Sequence, residues 1–357
     1  MSEARQDKRL RRRQTSIRDV AELAGVSLGS ASRVINGATN VTADVRQRVE
    51  RAIEKLGYRP NHVARSLRSR SSKTVGFMFT DVTNPLYARV FRAVEERLGK
   101  EGYLLLLVNS LNIAEREVEL LGLFQSRAVD GVIISPGNER DPQVLRAVRE
   151  LPMPVVVFDR DLDAGRDSLL VDHHPAVEAL VSELIGLGHR RIALLLAEAE
   201  VRPITRRLEG FRAAFPAHGL PVPEDLIVQL PSAMSRSFDA VRNLLRSTEP
   251  PTAIIALGTI MLNDAISAIA DAGLRVPADV SLVSLGDPDF ARSHIPGIST
   301  LRIDVDKVAD GLVKLLLDRI RSGDVGDTRQ ILLDPELVRR ESCAQATARP
   351  AASEKRQ

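Results

Sequence analysis

The chain has no tryptophan, three tyrosines and one cysteine, Cys343. A single thiol cannot build an internal disulfide framework, and it fits a reducing cytoplasm. Long apolar runs are also missing. The best candidates, such as residues 104–108, have the length of a buried strand and fall far short of a bilayer span. The first residues are basic and polar, without an apolar core or cleavage site, so no secretory signal is expected. There is no Walker-type phosphate loop and no Gly-x-Ser-x-Gly elbow. The histidines do not fall at metal-ligand spacing: His173 and His174 are adjacent, which reads as a solvent-facing pair on a turn. His189, before Arg190, reads as a cap on a helix-to-strand turn. These absences speak against an enzyme, and no metal or cofactor is expected.

At 357 residues the chain is expected to hold more than one folding unit. Its net charge of +3 conceals an asymmetry. Residues 1–74 carry 17 Lys/Arg against 7 Asp/Glu, a balance of +10, and the remainder carries 33 against 40, a balance of −7. A basic head on a mildly acidic body suggests that a polyanion binds the head. The run from Lys8 to Arg13 reads as a disordered basic tail able to follow phosphates without sequence preference.

Residues 17–36 are the most informative stretch. Val20, Ala21, Ala24, Val26, Ala31, Val34 and Ile35 recur at steps of three and four, the period of two short amphipathic helices around one small core. Gly25 separates them and supplies the left-handed backbone that a tight inter-helix turn needs. Ser16 with Asp19 has the form of a capping box, and Ser27 stands where the second helix needs an N-cap. With Arg33 on the outer face of that helix, the pair reads as a helix-turn-helix for duplex DNA. Thr42 is the expected N-cap of a third helix, striped by Val45, Val49, Ala52, Ile53 and Leu56 and ended by Gly57 and Pro60.

From Thr74 the texture changes. Strands are expected near residues 74–79, 103–108, 131–135 and 154–158, with helices from Asn84-Pro85 to about Lys100 and over 114–125 and 141–150. That alternation calls for a parallel sheet covered on both faces. A second series follows: strands near 192–196, 227–230, 253–257 and 280–285, with helices near 204–217, 237–245 and 260–271. Two doubly wound halves imply a cleft between them, the usual place for a small ligand. An amphipathic helix near 307–320 and short strands near 330–334 and 337–340 are expected to cross back and complete both halves.

The combined motifs resemble the LacI-type family of bacterial transcription regulators, that of the lactose and galactose repressors. They are Ile17-Arg-Asp-Val-Ala-Glu-Leu-Ala-Gly-Val-Ser27, Ser32-Arg-Val-Ile-Asn-Gly37, Leu56-Gly-Tyr-Arg-Pro-Asn61 and Ala64-Arg-Ser-Leu67 in the head. In the body they include Asn84-Pro85, Asp159-Arg160, Leu187-Gly-His-Arg-Arg-Ile-Ala193, Arg207-Leu-Glu-Gly-Phe211 and Gly273-Leu-Arg-Val-Pro277. The resemblance runs from about Thr15 to Arg340. It implies a small all-α helix-turn-helix head joined by a hinge helix to an α/β body of two doubly wound parallel-sheet subdomains, like a periplasmic binding protein. The boundaries are a basic tail at 1–14, the head at 15–60, hinge helix and linker at 61–73, the body at 74–342 and a disordered tail at 343–357. Within the body, one subdomain takes about 74–172 plus 303–334, the other about 173–302 plus 335–342.

The resemblance also implies a homodimer on a near-palindromic operator, with base-reading positions at Leu28, Gly29 and Arg33. Arg33 is suited to guanine O6 and N7, Leu28 to a thymine methyl. Gly29 departs from the polar side chain expected there. Ser16, Ser27, Ser30, Ser32 and Asn36 are assigned to phosphates. Asn61, Ala64, Leu67 and Arg68 belong to the hinge, with Leu67 placed to wedge a base step from the minor groove and Arg68 along that groove. Arg207, Asp159, Arg160, Asp287, Thr259 and Tyr87, the last as an aromatic wall, are the effector-binding candidates. Gly258-Thr259 replaces the Asn-Asp of many members, and the stacking aromatic that several sugar-binding members carry near Ser232 is missing. A sugar, a sugar phosphate, an organic acid or a nucleoside-like effector all remain open. The expected whole is a cytoplasmic, ligand-controlled, dimeric DNA-binding repressor without membrane attachment. A periplasmic-type solute-binding protein or an enzyme on the same body fold is the alternative.

Overall fold

The first helix starts from a reciprocal pair of hydrogen bonds. The Ser16 hydroxyl accepts the Asp19 amide at 3.4 Å, and the Asp19 carboxylate accepts the Ser16 amide at 2.7 Å. This computed structural model describes residues 15–35, 38, 40–58, 71–323 and 326–347. α1 (Ile17–Ala24) ends at Gly25 with φ 62°, a conformation that only glycine adopts freely. α2 (Leu28–Ile35) and α3 (Ala43–Leu56) close a small core around Val20, Ala31, Val34 and Val49. Thr42 does stand at the N-cap of α3, but its side chain makes no capping bond. Arg48 instead serves the far end of α1, donating to the carbonyls of Ala24 at 3.3 Å and Gly25 at 3.4 Å. Head and body are separate compact units, dividing between Ser72 and Lys73.

In the body, β1 (Thr74–Phe79), β2 (Leu104–Asn109), β3 (Gly131–Ser135), β4 (Val155–Phe158), β5 (Asp167–Val171) and β11 (Gln330–Leu333) form one sheet. Its order is β11-β5-β4-β3-β1-β2 and every pairing is parallel. Helices α4 (Pro85–Lys100) and α12 (Val305–Ser322) bring Val90, Val94, Leu312 and Leu316 onto one face, against Phe77 and Ile133. α5 (Ala114–Ser126) and α6 (Pro142–Glu150) bring Leu121, Phe124, Val144 and Val148 onto the other, against Met78 and Ile134. Alternate residues of β1, β3 and β4 thus feed two cores, which is why these central strands are apolar but for Thr74 and Ser135 at their ends.

The second sheet holds β6 (Ile192–Ala197), β7 (Ile227–Leu230), β8 (Ala253–Leu257), β9 (Ser281–Leu285), β10 (Ser299–Arg302) and β12 (Glu336–Val338) in the order β12-β10-β9-β8-β6-β7. Only β12 runs antiparallel, against β10. It is flanked by α7 (His173–Gly186), α8 (Arg202–Ala217), α9 (Phe238–Leu245) and α10 (Gly258–Asp271), with α11 (Asp289–Ser293) a single turn before β10. The chain passes between the sheets three times, at Asp172, after Arg302 and after Leu333. Val171, Ile303, Asp304, Leu333 and Asp334 from these crossings line one small cavity of about 190 Å³.

Several elements differ from the sequence reading. β5, α7 and β10 were not anticipated, and α8 and α10 each begin two residues earlier than expected. His173 is no solvent-facing turn residue: it opens α7 and is buried, while His174 is half-exposed beside Glu178. His189 does more than cap a turn. Its ring joins Thr252 Oγ1 at 2.8 Å, Ser281 Oγ at 3.1 Å and the Ala344 carbonyl at 3.1 Å. Residues 343–347, placed in a disordered tail by the sequence reading, are held against the second sheet. The Ala344 amide donates to Ser281 Oγ at 3.1 Å and the Ala346 amide to the Leu187 carbonyl at 2.8 Å.

Candidate functional site

Two surfaces carry the sequence-derived candidates. In the head, the core-facing side of α2 is Ala31 and Val34, so helical geometry turns Leu28, Gly29 and Arg33 outward. Leu28 is 42% exposed, a large apolar side chain left in water at the start of the helix. Arg33 is exposed, and its Nε donates to the Gly29 carbonyl one turn back at 3.3 Å. Gly29 needs no special backbone, and a Cβ added there would meet only Ser27 Oγ at 3.8 Å, an ordinary contact. Ser27 caps α2 by accepting the Ser30 amide at 3.1 Å, and the two hydroxyls lie 3.0 Å apart. Ser16 is engaged in its own capping pair, and Ser32 is half-buried. Asn36, Asn61, Ala64, Leu67 and Arg68 lie outside the described residues.

In the body, four of the six effector candidates meet: Tyr87 from α4, Asp159 and Arg160 after β4, and Arg207 on α8. Asp159 has φ 50°, a left-handed backbone that aspartate tolerates at some strain. Its Oδ1 accepts the Val171 amide at 3.2 Å and its Oδ2 meets His173 Nε2 at 2.8 Å. Burial, then the positive field of Arg207, holds His173 below its ordinary value. The ring is therefore neutral at pH 7 and donates its Nε2–H to the carboxylate. Burial raises Asp159, but His173, Arg160 and Arg207 outweigh it and hold the carboxyl below the usual range.

Each nitrogen of Arg160 has an acceptor. Its Nε donates to the Pro136 carbonyl, Nη1 to the Asp159 carbonyl at 2.8 Å and Nη2 to the Tyr87 hydroxyl at 2.9 Å. Tyr87 is not the aromatic wall expected from its place after Asn84-Pro85. It is buried, its hydroxyl also reaches Ser135 Oγ at 3.3 Å, and its ring stacks on Phe79 with centroids 4.9 Å apart. Arg207 is 8% exposed and makes no hydrogen bond among the described residues. Burial lowers its guanidinium to about 10, offset in part by Asp159.

Three residues that the sequence did not point to complete the cluster. Glu139 Oε1 accepts the Arg202 amide at 2.8 Å and Oε2 the Asp161 amide at 3.0 Å. Arg202 Nη1 returns to Asp161 at 2.9 Å, and its Nε stands 3.8 Å from Asp159. Asp287 and Thr259 do not join them. Asp287 pairs with Arg340 at 2.9 Å while its carbonyl accepts Arg89 at 3.1 Å, and Thr259 lies in the first turn of α10.

Residues 16–61 match the model of the bacterial regulatory proteins of the lacI family, and residues 181–343 that of the periplasmic binding protein-like domain. The HTH-type transcriptional repressor PurR of Aliivibrio fischeri (strain MJ11) is 32% identical over 332 residues, 92% of this chain and 98% of that protein. The chain belongs to the LacI family of bacterial regulators. Catabolite control protein A of Priestia megaterium is 35% identical over 289 residues, 80% of this chain and 86% of that protein. The lac repressor dimer bound to operator and the anti-inducer ONPF superposes with a TM-score of 0.81 at 27% identity, covering 93% of this chain and all of that one. This LacI-family chain is accordingly a DNA-binding transcriptional regulator controlled by a small molecule in its body, and not an enzyme.

Proposed function

We propose that the protein is a cytoplasmic repressor acting as a homodimer on a near-palindromic operator. Each α2 enters a major groove, Arg33 reads a guanine and Leu28 meets a thymine methyl. Ser27, Ser30, Ser32, Ser16 and Asn36 hold phosphates and set register. Asn61, Ala64, Leu67 and Arg68 are assigned to the minor groove on the family resemblance alone. The effector occupies the space between the two sheets of the body, held by Arg207 with Asp159 and Arg160 behind it, and with Thr259 and Asp287 assigned to its rim.

The observation carrying the head assignment is the exposure of Arg33 and Leu28 on the side of α2 opposite its core contacts. Arg33→Ala tests it. Binding to an operator library is expected to lose discrimination at one guanine per half-site by about 1–3 kcal/mol, at matched salt. Unchanged base preference with uniformly weaker binding would reassign Arg33 to a phosphate.

A further inference from the structure

Lys73 is the first residue of the body, since the two compact units divide between Ser72 and Lys73. Its backbone is left-handed, with φ 51°, a conformation that residues with a side chain adopt at some strain. The sheet does not ask for it. The pairing of β1 with β2 starts one residue later, Thr74 opposite Leu104. Lys73 gives that edge its carbonyl, which accepts the Leu104 amide at 2.8 Å. Its amide turns to the other neighbour of β1 and donates to Asp130 Oδ2 at 3.1 Å. Asp130 stands just before β3, and its own amide donates to the Thr74 carbonyl at 2.8 Å. The Lys73 ammonium lies over the ring of Tyr103, 4.1 Å from its centroid. Tyr103 is buried and stands just before β2. Glycine would take this backbone without strain, whereas lysine adds the cation that the ring attracts. The turn is tied to both strands that flank β1, so the backbone direction is fixed where the chain enters the body.

We propose that Lys73 is a positioning residue for operator binding, whose clamped turn sets the course on which the chain leaves the body. This rests on the reading of the protein as a homodimer that seats one head on each half-site. A head on a fixed exit samples fewer orientations, so less freedom is lost when both heads are seated. A single head held to phosphates by charge gains nothing from that constraint.

Full-length wild type and variants would be titrated, at one salt concentration, with a duplex that the wild type selects from a random library and with an unselected duplex. Lys73→Gly is expected to bind the selected duplex on the order of 10-fold more weakly and the unselected one as wild type does. Lys73→Arg keeps a cation for the Tyr103 ring and should bind both duplexes as wild type does. Asp130→Ala should repeat the Lys73→Gly loss. Asp130→Asn keeps an acceptor oxygen for the Lys73 amide and should lose less. The calorimetric transition of the body should not move in Lys73→Gly, because relief of strain offsets glycine's greater freedom in the unfolded chain. Equal affinity of wild type and Lys73→Gly for the selected duplex would overturn the proposal. So would an equal loss on both duplexes, or a body transition that falls in Lys73→Gly. A wild type that prefers no duplex in the library would refute the operator reading itself, and the proposal with it.

Discussion

Asp159 and His173 stand fourteen positions apart in the chain and share one hydrogen bond of 2.8 Å. Asp159 was legible as a candidate because it follows a strand in a doubly wound body, where ligand-facing residues gather. His173 was not, since its role depends on β5 carrying it back beside β4, and β5 is a five-residue strand beginning with Asp167. Its burial has a consequence for pH. The folded ring is held below 6.5 by desolvation, with Arg207 and Arg202 adding to the effect and Asp159 opposing it. As pH falls below about 6.5 the unfolded chain takes up a proton that the folded ring resists, so stability drops until the folded value is reached. His189, also held low by burial, acts with the same sign. His173→Asn keeps an N–H donor but cannot titrate. Its unfolding free energy, read from denaturant unfolding at each pH, should fall less than that of wild type between pH 7.5 and 5.5, by up to about 1.4 kcal/mol per pH unit. Parallel pH profiles for the two proteins would refute the assignment.

The elements differ in how openly the sequence announces them. The head and most strands were readable because apolar spacing switches cleanly between the helical and strand periods. α7 carries a weak sequence signal: it begins with two histidines and a proline, and alanines widen its apolar stripe around much of the helix. Yet α7 explains the glycine of the Arg207-Leu-Glu-Gly-Phe motif. Gly210 lies against the His174 backbone, and an added Cβ would run into that carbonyl oxygen. The two helices touch there because the position has no side chain, and the contact fixes where α8 presents Arg202 and Arg207. Gly210→Ala should cost about 1–3 kcal/mol of body stability, as overpacking does, despite alanine's better helix propensity. Denaturant unfolding measures it, and a stabilised variant would show that α7 and α8 have room to separate.

At the scale of the whole body, three chain crossings join the two sheets, and side chains that reach from one half to the other add to them. Glu139 is the principal bridge on the Arg207 side. It leaves the first sheet after β3 and places one carboxylate oxygen on the first amide of α8, whose N-cap Val201 offers no side-chain acceptor. The other oxygen holds Asp161, which returns an ion pair to Arg202, so the lock closes on itself. Nothing in the Asn-Glu-Arg-Asp stretch announces this, because the acceptor and its helix are 63 positions apart. Burial raises Glu139, which opposes its ionised form, while Arg160 and the two amides favour that form. Glu139→Ala leaves the Arg202 and Asp161 amides without acceptors, at about 1–3 kcal/mol for each group that water cannot reach. Hydrogen exchange in the full-length protein reads this locally. The Arg202 and Asp161 amides should exchange faster in Glu139→Ala, whereas amides of α10, remote from the bridge, keep the wild-type rate. Equal protection of Arg202 in both proteins would show that the other contacts between the halves, the Arg202–Asp161 pair and the Arg89–Asp287 hydrogen bond among them, hold the sheets without Glu139. Faster exchange there, with α10 unchanged, assigns the closure to the Glu139 bridge.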